Sequence, residues 1–255
     1  MTMDIEVHPL TPDRAADYLA FFDHEHGPAF SDNPEWATCY CQFYQTPTAV
    51  DWKSRGGGVN RRAMSERIST GEMEGFLAYV RDAGSDKPIV VGWLNAQPRN
   101  KLPHCFQRIQ IDATPIDLPD HRVAQLVCFV IHPEWRRRGI ARALLESALD
   151  SFSRRGIVMV EAYPFKAEDS EDPGDHYHGT WSMLQKAGFE VFATAEWMMI
   201  VRKTLTPQSA MALSASPVAR ESPESSSAPP PASSPRPCWR RARRSLISSR
   251  RSTRC

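Results

Sequence analysis

The sequence predicts an α+β fold, with helices layered on a central sheet. Three observations carry that expectation. Residues 126–131 (LVCFVI) are a continuous apolar run rich in β-branched and aromatic residues, and its length suits a strand buried on both faces. The spacing then changes, so that Ile140, Leu144, Leu145, Ala148, Leu149 and Phe152 recur at helical intervals and form one apolar stripe. A third feature is a hairpin, in which the runs 75–80 and 88–96 flank the turn-forming string Asp82-Ala83-Gly84-Ser85-Asp86.

Taken in order, Ile5 and Val7 alternate with polar residues and predict a short first strand. Thr11-Pro12-Asp13 reads as a helix start, with Tyr18, Leu19 and Phe22 turned inward and an end near Gly27. Residues 28–58 are irregular and rich in aromatics: Phe30, Trp36, Tyr40, Phe43, Tyr44 and Trp52 either pack on the core or line a pocket. A second helix is expected over Asn60–Thr70, and the hairpin follows. Residues 97–120 are a long proline-containing connection. After the striped helix, Gly156 marks an end and 157–163 is a further buried strand. Residues 164–175 form an acidic loop, Tyr177–Ala187 a short helix, and 189–192 and 197–202 the last strands. The expected order is β-α-α-β-β-β-α-β-α-β-β.

The junction between the central strand and the striped helix suggests its ligand. Pro133 cannot donate to a ladder, so the strand stops near His132. Arg136-Arg137-Arg138-Gly139-Ile140-Ala141 then leads into the helix. Gly139 lets the backbone approach something bulky, and the helix start offers unpaired N–H groups with a partial positive charge. Arginines disfavour such a position unless an anion offsets them. The turn therefore reads as a cradle for a pyrophosphate.

At these residues the chain resembles the GNAT acetyltransferases, whose acyl-CoA motif (Arg or Gln, two residues, Gly, one residue, Gly or Ala) is matched by Arg136, Gly139 and Ala141. The segments GFLAYV, VGW and QKAGFEV are similar to strings of the same family. The resemblance implies a mixed, mostly antiparallel sheet with a splayed central strand pair, and acetyl-CoA as cosubstrate. It implies that backbone groups of Phe129, Val130 and Ile131 hold the pantetheine arm, and that Arg136, Arg137, Arg138, Gly139, Ile140, Ala141 and Arg142 bind the pyrophosphate. The acceptor would be a primary amine on a small molecule or peptide, and a homodimer is compatible with the family.

Two family positions differ. Gln125 stands where histone-modifying members carry a glutamate base, and an amide has no useful basicity. Leu184 stands where many members carry a tyrosine acid. The candidate bases are then Glu161, Glu134 or water relayed from the acidic loop; Glu161 leads in the site assignment, with a strand-end carboxylate paired to a structural partner as its alternative reading. Tyr177 is the candidate acid, and His176 or His178 could relay a proton. Because of these departures, a non-catalytic acyl-CoA sensor stands as the alternative function.

Composition bounds the rest. No apolar run approaches a membrane span, and the N-terminus has no signal-peptide pattern, so the expected location is cytoplasmic. The six cysteines do not form a disulfide framework, and Cys39-Tyr40-Cys41 with His24 and His26 fits no usual zinc spacing, so no metal is expected. Residues 206–255 carry nine arginines and two glutamates, +7, which leaves residues 1–205 at −6. The first 205 residues are read as the acetyltransferase domain. The remainder is read as a basic Ser/Pro/Arg-rich tail without a core, for which nucleic-acid binding is the less favoured role. The acidic body and its acidic loop favour a cationic acceptor.

Overall fold

The structure is a computed structural model that describes residues 4–23, 29–33, 36–81, 87–112, 115–166, 170 and 172–206. All of these lie in the first of two units of the chain, Met1–Met211; the second, Ala212–Cys255, and with it nearly all of the expected tail, lies outside the described residues. So do the hairpin turn 82–86, His24, His26 and Gly27.

The strands are β1 (Ile5–Pro9), β2 (Phe76–Val80), β3 (Ile89–Pro98), β4 (Val123–Ile131), β5 (Met159–Ala162), β6 (Glu190–Thr194) and β7 (Met199–Thr204). The helices are α1 (Ala15–Phe22), α2 (Gly57–Ser69), α3 (Cys105–Ile109), α4 (Ile140–Arg154) and α5 (Trp181–Lys186). The expected order is found, with α3 added inside the long connection. One seven-stranded sheet runs β1-β2-β3-β4-β5-β7-β6. Only β4 and β5 pair in parallel; the other neighbours are antiparallel.

Strand alternation sends side chains to two covered faces. Phe76, Ala78 and Val80 of β2 face α4, where Ile140, Leu144, Leu145, Ala148 and Phe152 are buried, as the stripe predicts. Leu77, Tyr79 and Trp93 face the opposite way, onto Tyr18, Phe22, Met64 and Ile68 of α1 and α2. A third cluster, with Tyr44, Ile109, Val127 and Tyr163, covers the sheet beside α3.

The boundaries differ at three helices. Pro12 starts a 3-10 turn rather than the helix itself, and the Thr11 hydroxyl accepts from Arg14 Nη1 at 2.8 Å instead of capping a backbone N–H. The second helix begins among the glycines, at Gly57. The last one begins only at Trp181, capped by the Thr180 hydroxyl, which accepts from Met183 N–H at 3.3 Å. The aromatic loop is divided: Tyr40 and Tyr44 are core residues, whereas Phe30, Trp36, Phe43 and Trp52 are half-buried. It is anchored at Asp23, which accepts from Tyr40 Oη at 3.0 Å and from Arg61 of α2 at 2.6 and 2.9 Å.

Candidate active site

The site is built on an irregularity in β4. Asn95 of β3 pairs with Cys128 but Ala96 pairs with Leu126, which leaves Val127 as an extra residue. A bulge of this kind bends the strand. On the other edge, the parallel ladder with β5 ends at Leu126↔Ala162, so β4 runs on to Ile131 with no strand beside it. This is the splay that the family resemblance implies.

The ladder decides which backbone groups face that opening. His132 N–H donates to Val91 O at 2.9 Å. By antiparallel alternation the Val130 N–H also points to β3, while Phe129 and Ile131 point to the open edge. The three expected residues thus face different ways. Val130 serves the sheet. Phe129 N–H already donates to Tyr177 O at 2.6 Å. Ile131 is the other residue of the three whose N–H faces the opening, and it lies beyond the Phe129–Tyr177 contact.

Residues 177–179 lie along the opening. Gly179 makes this approach possible: its φ is 84°, and an added Cβ would sit 3.0 Å from the Phe129 ring. Tyr177 stands in the turn before α5, not on the helix as expected, because Gly179 breaks the helical path. Its ring packs edge-on against Trp36 (5.4 Å between centroids) and Phe165 (5.5 Å). Its hydroxyl group shares a hydrogen bond with Tyr44, whose own acidity burial suppresses. His178 is fully buried, 3.3 Å from Tyr44 Oη by its Nε2. Burial pushes its pKa down to about 3, opposed only by the bulged Val127 backbone. It is neutral at ordinary pH and cannot supply a proton as an imidazolium. His176 Nε2 is engaged 2.6 Å from Ser170 O.

The arginine turn follows β4. Gly92 on β3 lets the start of α4 come close, since a Cβ there would lie 2.7 Å from Ile140 Cγ2. Arg137 (φ 60°) and Gly139 (φ 88°) are both left-handed, the conformation from which anion-binding concavities are built. Nothing lies within 4 Å of a Cβ placed on Gly139, so the cradle is open. The first bond inside the helix runs from Ala143 N–H to Gly139 O at 3.0 Å. The N–H groups of Ile140, Ala141 and Arg142 therefore have no intrahelical acceptor. Arg137, Arg138 and Arg142 are exposed. Arg138 lies over the Trp135 ring at 5.0 Å, and Arg142 pairs with Glu146 at 2.7 Å. A groove of about 370 Å³ continues from Arg142 between α4 and α5, past Leu145, Met183 and Lys186.

Arg136 departs from its expected role. Its guanidinium grips Asp32 through both Nη atoms, at 2.5 and 3.0 Å, and its Nε donates to Ile131 O at 3.2 Å. It fastens the aromatic loop to the end of β4 rather than facing the cradle. Beside it, His132 Nδ1 accepts from Glu134 N–H at 3.2 Å, and burial, reinforced by Arg136, lowers the imidazole's pKa.

Glu161 takes the structural alternative. Its side chain is fully buried, accepts from Arg202 Nε at 3.0 Å and from Tyr163 Oη at 3.1 Å, and stands in register with Gln125. Gln125 Nε2 in turn donates to Tyr163 Oη at 2.5 Å. A base must come within hydrogen-bond reach of the amine, and this carboxylate is enclosed by its own partners. Among the described residues no group of three His, Cys, Asp or Glu side chains gathers as a metal site.

The structure thus brings together Ile131, Arg137–Arg142, Tyr177 and Trp36, and sets Glu161 and Arg136 to structural work. Asp32, Arg202 and the polar partners of Tyr44 are not predicted from the sequence. Each acts through a partner far away in the chain, and nothing local marks them.

The model of the acetyltransferase (GNAT) family matches residues 36–170. The chain belongs to the GNAT acetyltransferase family. No curated protein matches this family member. Solved GNAT-type structures similar to it include the PaiA N-acetyltransferase of Thermoplasma acidophilum in complex with coenzyme A, with 15% identity over 79% of this chain and 99% of that one at a TM-score of 0.45. A GCN5-related N-acetyltransferase of Kribbella flavida shares 15% identity over 79% and 98%, with a TM-score of 0.46. YncA of Salmonella typhimurium, solved with its cofactor acetyl-CoA, shares 14% over 85% and 100%, with a TM-score of 0.43. Among the described residues of this GNAT protein, no helix is long and apolar enough to cross a membrane.

Proposed function

We propose that the protein is an N-acetyltransferase that moves the acetyl group of acetyl-CoA directly to a primary amine. The observation that carries this is the open, left-handed turn at the start of α4, with Gly139 clear of any neighbour and unpaired helical N–H groups beside it. Those groups, with Arg137, Arg138 and Arg142, would hold the pyrophosphate. The groove along α4 and α5 would take part of the rest of the cosubstrate. Ile131 N–H, at the splayed edge, would donate to the acyl oxygen as it gains charge. Tyr177 would give a proton to the departing thiol, with Tyr44 fixing its hydroxyl. The amine would lose its proton to water near Asp172 and Asp175. Juxtaposing thioester and amine in the splay supplies a large part of the rate.

The test is calorimetry with acetyl-CoA. Arg138→Ala and Gly139→Glu are each expected to weaken binding at least about tenfold, close to 1.4 kcal/mol. Unchanged affinity in both variants removes the cosubstrate assignment. A non-catalytic sensor of acyl-CoA, favoured by Gln125 and Leu184 at the two acid–base positions, separates from the enzyme by release of free thiol in the presence of amines. A sensor binds acetyl-CoA and releases none.

A further inference from the structure

The aromatic residues around Tyr177 form a surface that the acetyl-transfer chemistry does not require. Trp36 comes from the loop between α1 and α2, Phe165 from the end of β5, Tyr177 from the turn before α5, and Trp197 from the β6–β7 turn. These four segments converge beyond the splayed end of β4. Trp36 meets Tyr177 edge-on at 5.4 Å, Tyr177 meets Phe165 edge-on at 5.5 Å, and Phe165 stacks on Trp197 at 6.1 Å. None of the four is buried, and Trp197 is 40% exposed. Interlocked rings make a rigid wall, and a contiguous aromatic patch left open on a folded domain marks a binding surface.

The wall is continuous with the proposed transfer point, because the backbone of Tyr177 is hydrogen-bonded to Phe129 on the open edge of β4. Its rim is acidic. A Cβ on Gly174 would lie 3.0 Å from Trp36 Cη2 and 3.1 Å from Asp172 Oδ1, so the indole and a carboxylate border the same point. Asp175 follows at once, its Oδ2 accepting from Ser170 Oγ at 2.7 Å. The exposed cation Lys166 stands next to Phe165, toward the Trp197 end. The surface is therefore apolar and aromatic along its length and anionic at the Trp36 end.

From this arrangement we infer the acceptor class: a small cationic amine whose nitrogen is attached, through a short chain, to an aromatic ring or a branched hydrocarbon. The ring lies on the Trp36–Tyr177–Phe165 wall, and the ammonium is drawn in by Asp172 and Asp175 and by the faces of the rings. A polyamine would leave the wall uncovered. A lysine in a polar peptide would bring backbone amides against it without partners. The inference rests on the acetyltransferase reading for its chemistry, but the binding surface stands on its own geometry.

The experiment separates the two. Amine binding to the full chain is measured without acetyl-CoA, by saturation-transfer NMR and tryptophan fluorescence, using 2-phenylethylamine, n-butylamine and spermidine. Acetyl-CoA binding is measured apart from it by calorimetry. Phenylethylamine is expected to bind at least about tenfold more tightly than either of the others. Trp36→Ala and Phe165→Ala are each expected to weaken it about tenfold, with Trp36→Phe retaining most of the affinity and acetyl-CoA binding unchanged. Trp197→Ala, in an exposed turn, covers the case in which a variant at Trp36 or Phe165 fails to fold. Equal or tighter binding of butylamine or spermidine overturns the acceptor class, and so does indifference of phenylethylamine to all the folded wall variants. Loss of acetyl-CoA binding alone overturns the reading of the arginine turn and leaves the amine result standing.

Discussion

Tyr177 and Glu161 are both candidates on chemical type, and their surroundings separate them. Tyr177 is half-buried at the open edge of β4 with its hydroxyl tied to Tyr44. Tyr177→Phe keeps the ring in contact with Trp36 and removes only the proton donor. Turnover is expected to fall by roughly 10²-fold, the low end for general acid–base catalysis, while acetyl-CoA affinity by calorimetry holds. Full kcat across pH 6 to 9 would make the hydroxyl structural. Glu161 is different: it neutralises Arg202, which is itself 13% exposed, donates to Pro115 O and stacks on the Phe192 ring. Glu161→Gln leaves that guanidinium in the protein without its counter-charge, a loss of about 3 kcal/mol for a buried pair. Urea denaturation should register it, and the specific activity of the molecules that remain folded should not. A lost acidic limb in the pH–rate profile would restore the base assignment.

The strand–turn–helix element is where sequence and structure agree best, and its placement depends on one small residue elsewhere. Gly92 lets α4 rest on β3, so that the cradle sits at the height of the β4 opening. Gly92→Ala forces a methyl group to 2.7 Å from Ile140 Cγ2 and close to Leu144. The expected outcome is 1–3 kcal/mol of destabilisation, typical of overpacking. Acetyl-CoA binding should weaken as well, because the helix start shifts; melting curves and calorimetry on the same preparation check both. The element was legible because its signals are local: an apolar run, a proline stop, a left-handed glycine and a striped helix. Five-residue α3 was not, since Cys105–Ile109 is too short to show a period. α5 starts four residues later than the spacing predicts, because Gly179 at φ 84° breaks the helical path after Tyr177 and His178. The facing of Val130, the grip of Arg136 on Asp32 and the burial of Glu161 by Arg202 depend on register and on pairs 41 or 104 residues apart, which periodicity cannot reveal.

Taken whole, the described protein is a sheet covered on both faces, with a buried histidine, His178, beside the open edge of β4. His178 refuses a proton until about pH 3, whereas in the unfolded chain it accepts one near pH 6.5. Its folded pKa is depressed, so its contribution is present above pH 6.5 and is lost as pH falls toward 3. The slope is at most about 1.4 kcal/mol per pH unit. His178→Asn keeps a hydrogen-bonding side chain facing Tyr44 without a titration, and denaturation at pH 7, 5.5 and 4.5 should show a flatter profile for the variant. The Arg136–Asp32 bridge joins segments far apart in the sequence, the end of β4 and the loop in which Trp36 also lies. Thermodynamics makes such a connection reciprocal: whatever acetyl-CoA does to the grip of the amine, the amine does equally to the grip of acetyl-CoA. Synergy between the two substrates is the expected outcome, with the amine held more tightly by the loaded protein than by the empty one. Asp32→Asn should weaken that coupling, read by calorimetry as a smaller difference between the amine's affinities for the loaded and the empty protein.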